Sequence, residues 1–253
     1  MKINVLLGHK NGHDRQGVTQ MIQIIRSNER YTAEHGWLTS RFSFSFAEYY
    51  DPQNVRFGVL RVFNDDTVQA GEGFGRHPHA DMEIMTYVIE GALEHQDSMG
   101  NIGVLRPGEV QRMTAGTGVY HSEYNHSQTE PVHFLQLWFL PNRQGLTPSW
   151  EQKEFTKEQQ QNTLLPVVSG RAAEGALHMN QDVTVYLSNL EKGQILKYAA
   201  EDPNRLFYAF VIRGALDLNG ELLQAGDAAR ISDVQHLTLG SPDGVEFMLI
   251  DLV

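Results

Sequence analysis

His77-Pro78-His79 and His121-Ser122-Glu123 carry the chemistry most readily read from this chain. Together they offer three imidazoles and a carboxylate, a full ligand set for one divalent transition metal. In an extended strand, residues two apart point to the same face. His77 and His79 can therefore converge on one ion, and so can His121 and Glu123. A second carboxylate, Glu83, shares strand parity with His77 and His79 if the strand runs unbroken through Ala80-Asp81-Met82. Spacing alone leaves Glu83 and Glu123 as rivals for the fourth position. The chain has no cysteine, so the donors are nitrogen and oxygen only, which suits Fe(II), Mn, Co, Ni, Cu(II) or Zn.

Composition narrows the classes of function. The 253 residues suffice for one large domain or two small ones. The formal charge of −11 argues against a nucleic-acid surface, because neutralising phosphates needs clustered Lys and Arg. Without cysteine there are no disulfides or thiolate sites. No apolar stretch is long enough to span a membrane, and the opening Met1–Leu7 is too short for a signal-peptide core. A cytoplasmic protein is expected. Residues 1–20 are polar after Leu7 and carry no sustained periodicity, so they read as a loose extension, with His9 and His13 solvated.

The elements that must position these residues are mostly strands. Runs rich in Val, Ile, Phe, Tyr and Leu alternate with Gly, Pro, Asn and Asp punctuation. Strands are expected at Met21–Arg26, Phe57–Phe63, Ile84–Ile89, His133–Phe139, Thr184–Leu187, Leu206–Ile212 and Phe247–Leu252. Asn219-Gly220 marks a two-residue hairpin, and residues 151–161 read as a short surface helix. The chain also repeats itself. Tyr87-Val88-Ile89-Glu90-Gly91-Ala92-Leu93 resembles Phe210-Val211-Ile212-Arg213-Gly214-Ala215-Leu216, and each half continues through a hairpin into a Gly-acid turn. Closed units of such hairpins are barrels or jelly rolls. The expected layout is all-β, two jelly-roll-like barrels in tandem with few short helices. Residues 1–20 form the extension, 21–145 a metal-binding domain and 146–253 a second domain without ligands.

Two longer patterns frame the ligand segments. One runs from Gly71 through His77-Pro78-His79 and Glu83 to Gly91. The other runs through Gly108, Gly116, Gly118, His121 and Asn125. Both resemble cupin motifs. Finer matches lie at Gly36-Trp37-Leu38, Tyr49-Tyr50-Asp51-Pro52, Leu60–Asp66, Gly73-Phe74-Gly75, Glu94–Asn101, Met113–Gly118 and Leu135-Gln136-Leu137-Trp138. With these the chain resembles the pirins, and among them the bacterial quercetin 2,3-dioxygenase-like members. The resemblance implies two cupin-type barrels with one metal per chain, Fe(II), held in the first by His77, His79, His121 and Glu123. Seven residues, not six, separate Glu83 from Gly91, a departure from the general cupin pattern that pirins share. The resemblance therefore moves Glu83 behind a ligand or onto the pocket wall.

The implied activity is a metal-dependent dioxygenase that opens a flavonol such as quercetin with O₂, the substrate being a flavonol or another small phenolic. Glu123 would serve as ligand and as base for the flavonol hydroxyl. The alternative is a pirin-type iron-binding regulatory or sensor protein that binds a protein partner without turnover; a storage bicupin ranks third. Phe74, next to the ligand segment, is expected to line the pocket. His133 is a lesser pocket candidate, and for it and His95 a hydrogen-bonded barrel role is the first expectation. Leu137, Trp138 and Phe139 read as core. His35, His126, His178 and His236 read as ordinary surface positions, and Gly116-x-Gly118 as a turn bringing backbone near the metal.

Overall fold

Period-two burial builds this protein. In Leu38–Phe42, residues 38, 40 and 42 are buried while 39 and 41 are half-buried, the signature of a strand with one face on a core. The computed structural model describes residues 21–253, so the expected extension over residues 1–20 lies outside the described residues. Within them the regular structure is almost entirely strand, and no helix is long and apolar enough to cross a membrane.

The first barrel combines two sheets. A seven-stranded sheet runs in the order Ser149–Glu154, Glu109–Thr114, Glu83–Glu90, Val132–Phe139, Leu60–Val68, Leu38–Phe42 and Tyr31–Glu34. A four-stranded sheet runs Gly73–His79, Val119–Asn125, Leu93–Asp97 and Ile102–Leu105. A ten-stranded sheet forms the second barrel. Its Asn219-Gly220 turn joins paired Leu218 and Glu221 with φ of 51° and 91°, the left-handed pair that a two-residue hairpin of this type requires.

The halves exchange edge strands, so the expected boundary at residue 145 is not a boundary of the sheets. Met21–Ile25 pairs with Ala228–Ser232 in the second barrel's sheet. Ser149–Glu154 pairs with Glu109–Thr114 in the first barrel's sheet. Both strands cap an edge that would otherwise expose unpaired backbone groups. That pairing also explains why residues 151–161 are not one helix. Only Lys157–Gln160 is helical, with Thr156 Oγ1 accepting from Gln159 N–H at 3.4 Å.

Strand parity decides what faces what. On Leu60–Val68, Glu83–Glu90 and Val132–Phe139, odd-numbered residues, among them Phe63, Met85, Tyr87, Leu135 and Leu137, pack against Val185, Leu187, Tyr208, Phe210, Met248 and Ile250 of the second barrel. Even-numbered residues of the same strands point into the first barrel. Its interior is apolar at both ends, one group around Val88 and Phe134 and the other around Ile84 and Met113. Between them lies a polar layer in which Thr86 pairs with Gln136 and Gln111. At the matching register of the second barrel, Ala209 pairs with Leu249 and Ala229, and one continuous apolar core fills the space.

Candidate metal centre

The four expected ligands sit on two adjacent strands of the small sheet. Gly73–His79 pairs antiparallel with Val119–Asn125, which sets His77 directly opposite His121. Between His121 and Glu123 the register slips, a bulge that re-aims the side chains around it. Gly73 makes the approach possible. A Cβ there would lie 2.3 Å from the Glu123 carbonyl oxygen, so any larger residue would force the two ligand strands apart.

His77, His79 and His121 bring their ligand nitrogens within 4.8 Å of one another, and His77 Nε2 lies 3.0 Å from His121 Nε2. His77 Nδ1 is 2.8 Å from the Gly75 carbonyl oxygen. A carbonyl only accepts, so Nδ1 carries the proton and Nε2 keeps its lone pair for a metal. Glu123 falls in a second group of this kind, with His121 and His95. Its carboxylate accepts from Gln136 Nε2 at 2.9 Å. The Thr86 hydroxyl is 3.4 Å from Glu123 Oε1 and 2.6 Å from Gln136 Oε1. With one proton it serves the nearer oxygen, which fixes the amide orientation that donates to Glu123.

Burial, followed by the nearby His121 and His77, pushes His79 down to about 4. Burial, followed by His77 and His95, pushes His121 down to about 3. Both rings are neutral at pH 7, the form that binds a metal. The donor set of imidazoles and a carboxylate, with no thiolate, fits a divalent first-row transition metal.

A cavity of about 780 Å³ opens beside the ligands, with His77 and Glu123 in its wall. Trp37, Phe42, Phe46, Phe74 and Trp138 supply flat apolar surface, while Ser40, Asn64, Asp66 and Gln136 supply polar groups. Burial raises the Asp66 carboxyl to about 7, with the negative charges of Asp65 and Glu123 adding and the Ser40 hydrogen bond opposing.

Several residues stand elsewhere than expected. Glu83 does not line the cavity. The strand from Gly73 ends at His79, Asp81 turns the chain with φ of 47°, and Glu83 opens a strand of the other sheet. There its odd parity points it at the second barrel. Its carboxylate accepts from Thr114 Oγ1 at 3.1 Å and from the Asn180 backbone N–H at 3.2 Å. His133 faces the same outward side and pairs with Asp65 at 2.6 Å, the hydrogen-bonded role expected first, and it is not on the cavity wall. Phe74 does line the cavity. Trp138, expected in the core, lines it too, its ring edge-on to His79 at 4.8 Å. Leu137 and Phe139 are core. His35 lies on the cavity wall beside Glu48. Gly116 makes its close approach to the Leu146 carbonyl, 1.9 Å from where a Cβ would sit.

Thr86, Gln136, Asn64 and Asp66 escaped the sequence reading. For Thr86 and Gln136 the signal is a polar residue at an inward position of a largely apolar strand, and for Asn64 and Asp66 a polar run inside a strand; either becomes readable only once parity is known.

The family description "Pirin" matches residues 25–139, and "Quercetinase C-terminal cupin domain" matches residues 166–252. A quercetin 2,3-dioxygenase of Escherichia coli K12 is 44% identical over 234 residues, covering 92% of this chain and 99% of that protein. A pirin-like protein of Caulobacter vibrioides is 40% identical over 220 residues, 87% of this chain and 94% of its own. The crystal structure of a bacterial pirin from Escherichia coli in complex with nickel(II) superposes with a TM-score of 0.87 at 43% identity, covering 92% of this chain and 99% of that one. Near-complete coverage at this identity, on two cupin barrels with the histidine cluster in the first, makes this chain a member of the pirin family.

Proposed function

We propose that this protein is a metal-dependent dioxygenase that opens the ring of a flavonol such as quercetin, using O₂. The observation that carries the reading is the aromatic-walled cavity with His77 and Glu123 in its side. Its volume is in the range of pockets that enclose a small organic ligand, about 300–1,000 Å³. Relatives named for this activity support it, and both weigh against a regulatory role without turnover. His77, His79, His121 and Glu123 would hold the metal, Fe(II) being our assignment among the first-row ions. Bound there, it would supply a Lewis acid that stabilises the ionised flavonol and an open coordination position.

The chain's own residues do the rest. Trp37, Phe46, Phe74 and Trp138 sandwich the flat rings and exclude water. Glu123, steadied by Gln136, takes the flavonol hydroxyl proton, which requires hydrogen-bond reach of that oxygen. Asp66, titrating near neutrality on the same cavity, is suited to exchange that proton onward.

The test is chelator-stripped protein reloaded in turn with Fe(II), Mn, Co, Ni, Cu and Zn and mixed with quercetin in air. Metal analysis and loss of the flavonol absorption band are followed together. At least one reloaded form should bleach quercetin well above free metal, and stripped protein should not. Bleaching no faster than free metal for every ion would overturn the reading.

A further inference from the structure

A fourth imidazole stands behind the three. His95 is fully buried, and its Nδ1 lies 3.4 Å from His121 Nδ1. Its Nε2 lies 3.4 Å from Asp97 Oδ2, with both side chains wholly shielded from solvent. Asp97 is itself pinned. It accepts from the backbone N–H groups of Met99 at 2.8 Å and Asn101 at 3.0 Å, and from Asn101 Nδ2 at 2.8 Å. The sheet imposes the juxtaposition, since Leu93–Asp97 pairs with Val119–Asn125 and sets Glu123 opposite His95 and His121 opposite Asp97.

Counting protons gives the links a direction. A carboxylate only accepts, so the His95 proton sits on Nε2 and points at Asp97. Neutral His95 then has a lone pair at Nδ1. The nearest donors to it are His121 Nδ1 and, at 3.5 Å, the Gln111 side-chain amide. His121 turns its Nδ1–H toward that lone pair and leaves Nε2 bare, on the side where His77 Nε2 lies 3.0 Å away.

We propose that His95, oriented by Asp97, is a positioning residue that locks the tautomer and ring angle of His121 and so sets how tightly the first barrel holds its metal. The proposal rests on the reading of His121 as a ligand. Its physical basis is the need of a buried ligand imidazole for a fixed partner on its other nitrogen. Here that partner is a second imidazole rather than the carboxylate itself, which carries the influence of a buried negative charge to the metal centre through one neutral ring. The aromatic neighbour Trp150, stacked on His95 at 5.7 Å and 16°, keeps that ring from turning.

The test uses full-length protein labelled with ¹⁵N-histidine. Metal-free spectra report the His121 tautomer, and chelator competition reports Ni(II) and Co(II) affinity. The wild type should show His121 protonated at Nδ1. His95→Ala should lose that single tautomer and about 10–100-fold in affinity. His95→Asn, whose amide oxygen can stand near the place of Nδ1, should recover most of the loss. Asp97→Asn should disturb the tautomer without removing any group that touches His121. It also keeps the idea testable if His95→Ala fails to fold. Unchanged tautomer and affinity in both His95→Ala and Asp97→Asn would overturn the proposal, provided His121→Ala abolishes binding. If His121→Ala also binds normally, the ligand reading fails instead. His95→Asn binding as poorly as His121→Ala would overturn it too, making His95 a ligand in its own right.

Discussion

At the scale of residues, the centre depends on keeping imidazoles uncharged in a buried place. His79 and His121 are held at about 4 and 3 against an ordinary 6.5. As pH falls below 6.5 the unfolded chain takes up protons at these positions while the native chain does not. Their contribution to stability is therefore present above 6.5 and lost on acidification toward 4 for His79 and toward 3 for His121. In metal-free protein the urea midpoint should fall between pH 7 and pH 5, and the fall should be smaller in a His79→Gln, His121→Gln double variant. An equal fall in both would show that these rings do not govern it. Glu123→Gln keeps size and one acceptor oxygen but loses charge and basicity. It should cut turnover more than it cuts bound metal, measured by pairing metal analysis with the quercetin assay. The candidate ligands were legible because His-x-His and His-x-Glu match the two-residue period of a strand. Thr86, Gln136 and Asp66 were not, since a polar residue within a strand says nothing about direction until the strand's partners fix its parity.

At the scale of elements, that parity separates the site from the interface. Glu83 rivalled Glu123 by spacing, and was then expected behind a ligand or on the pocket wall, because the strand seemed to continue through Ala80-Asp81-Met82. The turn at Asp81 moves it to another sheet and points it at Asn180. Glu83→Ala should destabilise the fold by about 1–3 kcal/mol, the cost of buried donors left without an acceptor. Metal content should be unchanged, and loss of metal from a folded variant would return Glu83 to the site. The Asn219-Gly220 hairpin was readable because only a few residues adopt two successive left-handed conformations. The strand Ser149–Glu154 was not, because its charged, polar composition resembles a surface helix and the edge it covers lies elsewhere in the chain.

At the scale of the whole molecule, two similar barrels have different interiors. The repeat of Tyr87–Leu93 in Phe210–Leu216 made the tandem layout visible in the sequence. The exchange of edge strands stayed hidden, because pairing partners some two hundred residues apart leave no local mark. Where the first barrel sets Thr86, Gln136 and Gln111, the second sets Ala209, Leu249 and Ala229, so one barrel holds polar groups around a site and the other is packed shut. One metal per chain is the expected stoichiometry, and the activity should depend on it. The most direct measurement is quercetin-dependent oxygen uptake by metal-loaded protein, set beside His79→Ala treated identically and shown by circular dichroism to be folded. Uptake by the parent with about one metal per chain, and neither bound metal nor uptake in the variant, is the expected result. A folded variant that consumes oxygen at the parental rate would contradict the account.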